Sequence, residues 1–361
     1  MIVGISPNVP LSQRCHESMP WSESTTCVPY LLNDRKVMFT RVRRVSCGAL
    51  AVAAAALLTS SCSGGSSAYS GSTTSITLGA LPVVDDVSAY IAADQGIFQK
   101  YGLNVTIKQV LTSAVAIPEM KAGTIDVLGG GNYVSFIQAS AKDPADPAYR
   151  ILAEAATCSS DSFVVLTLPS SGIQTPADLQ RKTIAVNLTN NIQTLMINSV
   201  LGSDDVKAAS VRYVAIPFPK MVAALEAHKV DAISAVEPFA TTAEQKAGAI
   251  PIVDMCSGPD SNLPLSGYIS TSTWAQQNPG AVQRFQEAIS QAQEIADTDR
   301  AVVEKTLLKY VTGLTAVQAA TITLEQFPTS LDSVQLNRVS NLMQEAGLIK
   351  GSFQASTLVN G

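Results

Sequence analysis

From residue 76 onward, the alternation of apolar and polar positions predicts a strand, a loop, a helix and a second strand in close succession. Residues 76–81 are mostly β-forming and lead into a polar loop at residues 82–86. Apolar residues between Val87 and Ile97 recur at mixed three- and four-residue spacing, which is typical of a helix. Residues 103–107 alternate as a half-buried strand does. This order is the building block of a parallel sheet covered by helices.

The same step from strand to loop to helix recurs downstream. Each time, a short polar or small-residue segment separates an apolar strand from the start of a helix. These segments are residues 82–86, 129–132, 187–191, 217–220 and 234–238. Because the carboxyl ends of strands line the ligand crevice in open α/β sheets, we expect the five segments to face a shared cleft.

Composition excludes several classes of protein. The 361 residues are 46% hydrophobic and 15% charged, with a formal net charge of −5. The chain therefore lacks the basic footprint of a nucleic-acid-binding protein, and its low charge argues against disorder. Its length permits one large α/β domain or two lobes.

The first 75 residues differ from the rest and predict export. Residues 1–37 show no lasting periodicity. Met38 is the more plausible first residue, because three arginines and then an apolar run at residues 45–58 follow it, as in a signal peptide. The run is short for a membrane span and ends in small residues before Cys62, which resembles a bacterial lipoprotein signal with Thr59 at the usual aliphatic position. We expect residues 1–37 to lie upstream of the true start, residues 38–61 to be removed, and Cys62 to carry a lipid on a Gly/Ser tether at residues 62–75. The alternative is a simple signal peptide cleaved nearby.

Several phrases in the body resemble one family. Residues 90–105 match Y-x-A-x(3)-G-x-F-x-K-x-G-L-x-V, and residues 178–186 resemble D-L-x-G-K-x-I-A-V with Arg181 at the expected glycine. Residues 224–232 resemble A-L-x-x-G-x-V-D-A with His228 at the glycine, and the pair Glu237-Pro238 follows. Together these phrases resemble the solute-binding proteins of sulfonate, nitrate, taurine and thiamine-pyrimidine-precursor importers, from residue 76 to the C-terminus.

The resemblance implies a fold and a function. It implies an α/β, two-lobed periplasmic-binding-protein-like fold of type II, in which each lobe is a mainly parallel sheet flanked by helices and a hinge joins the lobes. Lobe one would comprise residues 75–160 and 257–361, and lobe two residues 161–256. A small molecule would be captured in the cleft and delivered to an ABC permease and its ATPase. The protein would be a monomer, held by its lipid at the outer face of the cytoplasmic membrane.

Candidate ligand-binding residues lie on the recurring segments. They are Val84, Asp85, Asp86, Gly130, Asn132, Asn187, Thr189, Asn190, Asn191, Pro219 and Glu237. Each has a structural alternative: Asp85 and Asp86 could cap the next helix, and Thr189 or Asn190 could be a helix N-cap. The triple glycine before Asn132 could be a tight turn with no ligand.

Two cysteines besides Cys62 remain in the exported part, Cys158 and Cys256. In an oxidising compartment such a pair is bridged or consists of two buried free thiols, and we expect the bridge. With two lobes, both cysteines would lie near the hinge, where a disulfide would tie the two connecting strands together without blocking closure.

The charged residues on the segments bear on the ligand. Helix N-termini favour an anion such as sulfonate or nitrate. The five segments, however, carry three acidic side chains, Asp85, Asp86 and Glu237, and a single basic one, Lys220. Carboxylates beside a bound anion are costly unless they are paired or turned away. The balance favours a neutral or amine-bearing heteroaromatic ligand such as a pyrimidine, while sulfonate, taurine and nitrate-like compounds stay open.

The sequence offers no catalytic constellation. His228 is the one histidine of the exported part, and no G-x-S-x-G, Walker, dinucleotide or HExxH motif is present. Relatives that synthesise a pyrimidine use an active-site histidine and a cysteine-rich loop, which this chain lacks. We therefore predict a binding protein with no catalytic residues, metal or cofactor. The alternatives are an exported enzyme on the same fold and a binding lobe that feeds a sensor.

Overall fold

The computed structural model describes residues 71–359 apart from 144, 146, 147, 204, 205, 208 and 209. The predicted upstream segment, the signal peptide, Cys62 and most of the tether lie outside the described residues. None of the described helices combines the length and apolar character that crossing a membrane requires.

Within the described range, the strands form two five-stranded sheets. In chain order the strands are β1 (Thr74–Ala80), β2 (Leu103–Gln109), β3 (Val127–Asn132), β4 (Tyr149–Thr157), β5 (Phe163–Thr167), β6 (Thr183–Val186), β7 (Arg212–Ala215), β8 (Ala232–Val236), β9 (Ile250–Asp254) and β10 (Pro264–Thr271). The first sheet has the order β2-β1-β3-β10-β4, and the second has the order β7-β6-β8-β5-β9. Both sheets thus share one arrangement, in which the fourth strand is the one that arrives from the other sheet.

Four of the five strands in each sheet point the same way. β1 pairs in parallel with β2 and β3, as β6 does with β7 and β8. The exceptions are the arriving strands, since β10 is antiparallel to β3 and β4, and β5 is antiparallel to β8 and β9. The prediction of an α/β fold with two mainly parallel sheets is confirmed.

Helices cover the sheets. In chain order the described helices are α1 (Val87–Asp94), α2 (Ile97–Lys100), α3 (Ser113–Lys121), α4 (Tyr133–Ser140), α5 (Ile192–Ser203), α6 (Phe218–Glu226), α7 (Phe239–Ala247), α8 (Ser272–Gln277), α9 (Pro279–Thr298), α10 (Arg300–Tyr310), α11 (Ala316–Thr321) and α12 (Ser333–Glu345). The buried residues of α9 recur every three or four positions from Ala281 to Ala296, so one stripe faces the core. On that stripe, Phe285 stacks on Phe98 and meets Tyr268 edge-on.

The first predicted helix is interrupted. The periodicity between Val87 and Ile97 belongs to two helices, α1 and α2. Gly96 separates them with a φ of 68°, a left-handed conformation that glycine adopts without a steric penalty. Apolar spacing continues across the break because both helices bury residues in the same core.

Among the described residues the chain crosses between the sheets twice, and the two crossings lie side by side. The outward crossing joins β4 to β5, and the return joins β9 to β10. The N–H of Cys158 donates to the carbonyl of Leu263 at 3.0 Å, and the N–H of Met255 donates to that of Phe163 at 2.9 Å. Cys158 and Cys256 are buried and joined by a disulfide, with Cα atoms 5.4 Å apart. The bond therefore ties the two crossings together at the junction of the sheets.

Candidate ligand-binding site

A cavity lies where the carboxyl ends of strands from both sheets meet. Counted out to its mouth, with the open solvent there included, the space between its walls is about 470 Å³. The first sheet and its connections contribute Leu81, Val83, Asp85, Ser113, Gly130, Asn132, Leu265 and Ser266. The second sheet and its connections contribute Phe163, Asn187, Leu188, Asn191, Ile192, Gln193, Phe218 and Val236. All five predicted segments reach this cavity with at least one residue.

Asp85 carries the only ionisable side chain among the described residues that line the cavity. It follows β1 in the 3-10 turn Val84–Asp86 and is 8% exposed. Its Oδ2 accepts a hydrogen bond from the Ser266 hydroxyl at 2.6 Å, while no other described residue donates to Oδ1. Burial raises the pKa of the Asp85 carboxyl, and the hydrogen bonds from Ser266 and from its own backbone N–H oppose that shift.

Asn187 faces the cavity from the other half. Its backbone N–H donates to Gln193 Oε1 at 2.5 Å, and Gln193 Nε2 in turn donates to the carbonyl and the hydroxyl of Ser234, both at 2.9 Å. This bridge from α5 to β8 holds the loop after β6 in place. The Asn187 side chain is 9% exposed, and its Oδ1 accepts from no described residue.

The N-cap of α5 is Asn191. Its Oδ1 accepts from the N–H groups of Gln193 at 3.1 Å and Thr194 at 3.4 Å, because it directly precedes the first helical residue. The cap alternatives named from sequence, Thr189 and Asn190, are therefore wrong. Both are exposed residues of the preceding turn, in which Asn190 has a φ of 55°, and neither lines the cavity.

Asn132 is both a cavity residue and a helix cap. Its Oδ1 accepts from the N–H of Ser135 at 3.1 Å at the start of α4. Its Nδ2 donates to the hydroxyl of Ser113 at 3.3 Å. Gly130 also lines the cavity, with a φ of 56° that suits glycine. The side-chain amide of Asn132 is thus already engaged by protein groups.

Asp86, next to Asp85 in the chain, does not line the cavity. It is fully buried, and its Oδ2 accepts from the N–H of Leu81 at 2.7 Å. Burial, together with the charge of Asp85, raises its pKa well above the usual value. The carboxylate lies directly against the triple glycine, since a Cβ on Gly129 would be 2.0 Å from Asp86 Oδ1 and one on Gly130 would be 2.7 Å from Oδ2.

The expectation that the glycines form a loop before α4 is therefore wrong. Gly129, Gly130 and Gly131 are residues of β3, and they leave room for a buried carboxylate. The close approach that the glycines allow is to Asp86 and, at Gly131, to Ile269 and Phe136.

Replacing Gly129 with alanine is expected to destabilise the fold by about 1–3 kcal/mol, because the new methyl group displaces the buried Asp86 carboxylate. Urea unfolding of the purified variant measures the loss. The matched control is Gly202→Ala in α5, where a Cβ meets nothing within 4 Å and stability should hold or rise. Equal stability of the two variants would show that Asp86 is not packed on β3.

Glu237 and Val84 connect the two halves beside the cavity without lining it. The N–H of Val84 donates to the carbonyl of Glu237 at 3.1 Å, while the Val84 side chain lies in the core. The Glu237 carboxylate is 3% exposed and accepts from the N–H of Thr241 at 3.1 Å, from its hydroxyl at 2.8 Å and from the N–H of Thr323 at 3.0 Å. Burial nevertheless raises its pKa. Glu237 thus joins the β8–α7 turn to the C-terminal part of the chain.

The remaining candidates lie further out. Pro219 and Lys220 are exposed in the first turn of α6, whereas Phe218 reaches the cavity and stacks on Phe239 with ring centroids 5.9 Å apart. Sequence reasoning missed the cavity residues Phe163, Gln193 and Ser266. Phe163 begins β5, which follows the outward crossing, and Ser266 lies on β10, which follows the return crossing. Only their position at the junction of the two sheets identifies these two as cavity residues.

Glu325 adds a buried carboxyl that the sequence did not single out. It is 4% exposed, and neither carboxylate oxygen has a donor among the described residues. Burial and the charges of Asp85, Glu237 and Asp86 raise its pKa well above the usual value. No group of side chains in the described part of the chain has an arrangement that could hold a metal ion.

Comparisons with known proteins agree with this architecture. The model of the family described as "NMT1/THI5 like" matches residues 85–299, more than half of the chain. Curated binding proteins of Brucella abortus and Brucella suis are 22% identical over 208 residues, which cover 56% of this chain and 61% of each relative. The match thus spans less than two thirds of those relatives.

Solved structures share the fold. The alkanesulfonate-binding protein SsuA from Xanthomonas axonopodis pv. citri, bound to MOPS, is 18% identical with a TM-score of 0.67, covering 80% of this chain and 99% of that one. The periplasmic nitrate-binding protein NrtA from Synechocystis PCC 6803 is 14% identical with a TM-score of 0.67, covering 80% and 85%. At these identities the likeness establishes the periplasmic-binding-protein fold and leaves the ligand open.

Proposed function

The chain belongs to the NMT1/THI5-like family, and on that premise we propose that it is the extracytoplasmic solute-binding component of an ABC importer. It captures a small organic molecule between its halves and delivers it to a membrane permease driven by an ATPase. The observation that carries this proposal is the convergence of five chain segments, at the ends of strands of two separate sheets, on one cavity. The alternatives for the ligand are a pyrimidine, a sulfonate, taurine or a nitrate-like compound.

The capture step is a closure of two lobes. Residues 75–160 with 257–361 form lobe one, and residues 161–256 form lobe two. Two adjacent crossings joined by a disulfide allow the lobes to rotate while keeping their connections in register. The protein works as a monomer at the outer face of the cytoplasmic membrane, to which a lipid on Cys62 anchors it.

Five of the candidate residues contact the solute in this proposal. Asp85, Gly130 and Asn132 contact it from lobe one, and Asn187 and Asn191 from lobe two. The described cavity wall contains no histidine, lysine or cysteine, and the only side chain on it that could act as a base is Asp85, which accepts a hydrogen bond from the Ser266 hydroxyl. His228 is exposed in the turn after α6, away from the cavity. These features favour a carrier over an enzyme on the same fold.

Thermal-shift titration of the exported chain against sulfonates, nitrate, taurine and pyrimidines tests the proposal, with mass spectrometry of each compound afterwards. We expect one class to raise the melting temperature progressively with its concentration, and to be recovered unchanged. At a hundredfold excess over Kd the stabilisation should be about 2.7 kcal/mol. Chemical conversion of the compound would instead establish the enzyme. Replacement of Asp85 or Asn187 by alanine should reduce the rise in melting temperature that the compound causes. Unchanged affinity in both variants would show that neither residue contacts the solute.

A further inference from the structure

The electrostatic character of the cavity wall is acidic. Asp85 is the one ionisable group among its described lining residues, and that lining contains no lysine, arginine or histidine. Lys220, the nearest candidate cation by sequence, is exposed and does not line the cavity. A bound sulfonate or nitrate would therefore lie beside a carboxylate with no positive side chain to balance either charge.

Three backbone N–H groups at helix starts beside the cavity already donate to side chains. At the start of α5 the side chain of Asn191 accepts from the N–H groups of Gln193 and Thr194, and at the start of α4 Asn132 accepts from that of Ser135. The start of α6 loses one donor because Pro219 has no N–H. The helix N-termini around this cavity therefore offer few of the free donors that normally recognise an anion.

Unpaired acceptors, by contrast, come from both halves. Asp85 Oδ1 and Asn187 Oδ1 belong to side chains that are more than nine-tenths buried, both line the cavity, and neither oxygen has a donor from another described residue. Buried acceptors of this kind are costly unless a partner supplies a hydrogen bond. A donor beside Asp85 would also stabilise the charged carboxylate, whose pKa burial raises.

We propose that the cavity selects a small molecule that presents N–H donors to Asp85 and Asn187, that is neutral or cationic at that end, and that carries an apolar body. Phe163, Phe218 and Ile192 supply apolar surface for the body. Bare sulfonate and nitrate are excluded. This inference rests on the proposed solute-binding function and specifies its substrate class.

Two pairs of probes of matched size test it by calorimetric titration of the exported chain. In the first pair, 4-aminopyrimidine carries an amino group with N–H donors where 4-methylpyrimidine carries a methyl group of similar size. In the second, benzylamine and benzenesulfonate place opposite charges on the same ring, and nitrate is a further anion. We expect the amino member of at least one pair to bind tenfold or more tightly than its partner, and nitrate not to bind.

The variant Asp85→Asn separates a binding role from a structural one. It keeps the side-chain shape, and we expect it to lower the affinity for the amino probe at least tenfold. Its affinity for the anions should be equal to that of the unmodified chain or higher. Asp297→Asn, an exposed position of α9, is the matched control and should bind as the unmodified chain does. Circular dichroism of both variants checks folding.

The outcomes distinguish the two proposals. Binding of benzenesulfonate or nitrate as tightly as the amines, or an Asp85→Asn variant that keeps its amine affinity, would overturn the donor selectivity and leave solute binding intact. Failure of every probe, together with failure of every compound in the thermal-shift panel, would overturn solute binding and this inference with it.

Discussion

Removing the disulfide by the double substitution Cys158→Ala and Cys256→Ala is expected to lower the free energy of unfolding by about 4–5 kcal/mol. The bond closes a loop with a sequence separation of 98 residues, so it removes much of the conformational freedom of the unfolded chain. It also joins the only two crossings found among the described residues, and both cysteines are buried. Urea unfolding of the oxidised chain and of the variant measures the difference.

Reduction provides the control for this prediction. A reducing agent should lower the stability of the unmodified chain toward that of the double variant, and it should leave the variant unchanged. Ligand binding under native conditions should persist, because neither cysteine lines the cavity. Free thiols at both positions in a non-reduced digest would contradict the bridge itself.

Raising the pH from 5 to 8 is expected to destabilise the fold by about 2–3 kcal/mol through Glu154 alone. Glu154 is 2% exposed on β4, and burial raises its pKa from 4.5 to about 7, helped by the charge of Asp332 and opposed by a hydrogen bond from the Thr157 hydroxyl. The unfolded chain releases this proton near pH 4.5, whereas the folded chain keeps it until about pH 7. The stabilisation is therefore complete below pH 4.5 and is lost as the pH rises through 7.

Other buried carboxyls act in the same direction. Burial raises the pKa of Asp85, Asp86, Glu237 and Glu325, and it raises that of Asp260 to about 7 despite the nearby Arg338. Each of these carboxyls favours the folded state when it is protonated. Their titration therefore adds to the loss of stability as the pH rises.

Urea unfolding at pH 5, 6.5 and 8 checks the pH prediction. The variant Glu154→Gln keeps the shape of the side chain and removes its titration, so its stability should depend less steeply on pH. Stability that is constant or increases from pH 5 to 8 in the unmodified chain would contradict the raised pKa values.

The sequence alone predicted much of the fold because its signals are local. The apolar spacing located β1, β2 and the beginnings of α4 and α5 to within a few residues, and the family resemblance is confirmed by the family model. Five segments at the ends of strands were predicted to converge, and all five reach the cavity, although residues 129–132 belong to β3 and do not form a loop. Strand direction and the side of the sheet from which a loop leaves follow from general rules of α/β topology.

The role of each loop residue depended on distant contacts. Asp85 and Asp86 are neighbours with the same side chain, yet one lines the cavity beside Ser266 and the other packs against Gly129. Local preference could not choose Asn191 over Thr189 or Asn190 as the cap, because all three are good N-cap residues.

The amino-acid sequence by itself therefore determined the family, the two-sheet α/β architecture and five of the segments that contribute to the cavity wall, since periodicity and short phrases are properties of neighbouring residues. Only the tertiary structure decided which polar atoms in those segments stay unpaired. A hydrogen bond such as that from Ser266 to Asp85, or from Gln193 to Ser234, joins residues whose proximity exists only after both sheets and their crossings are in place.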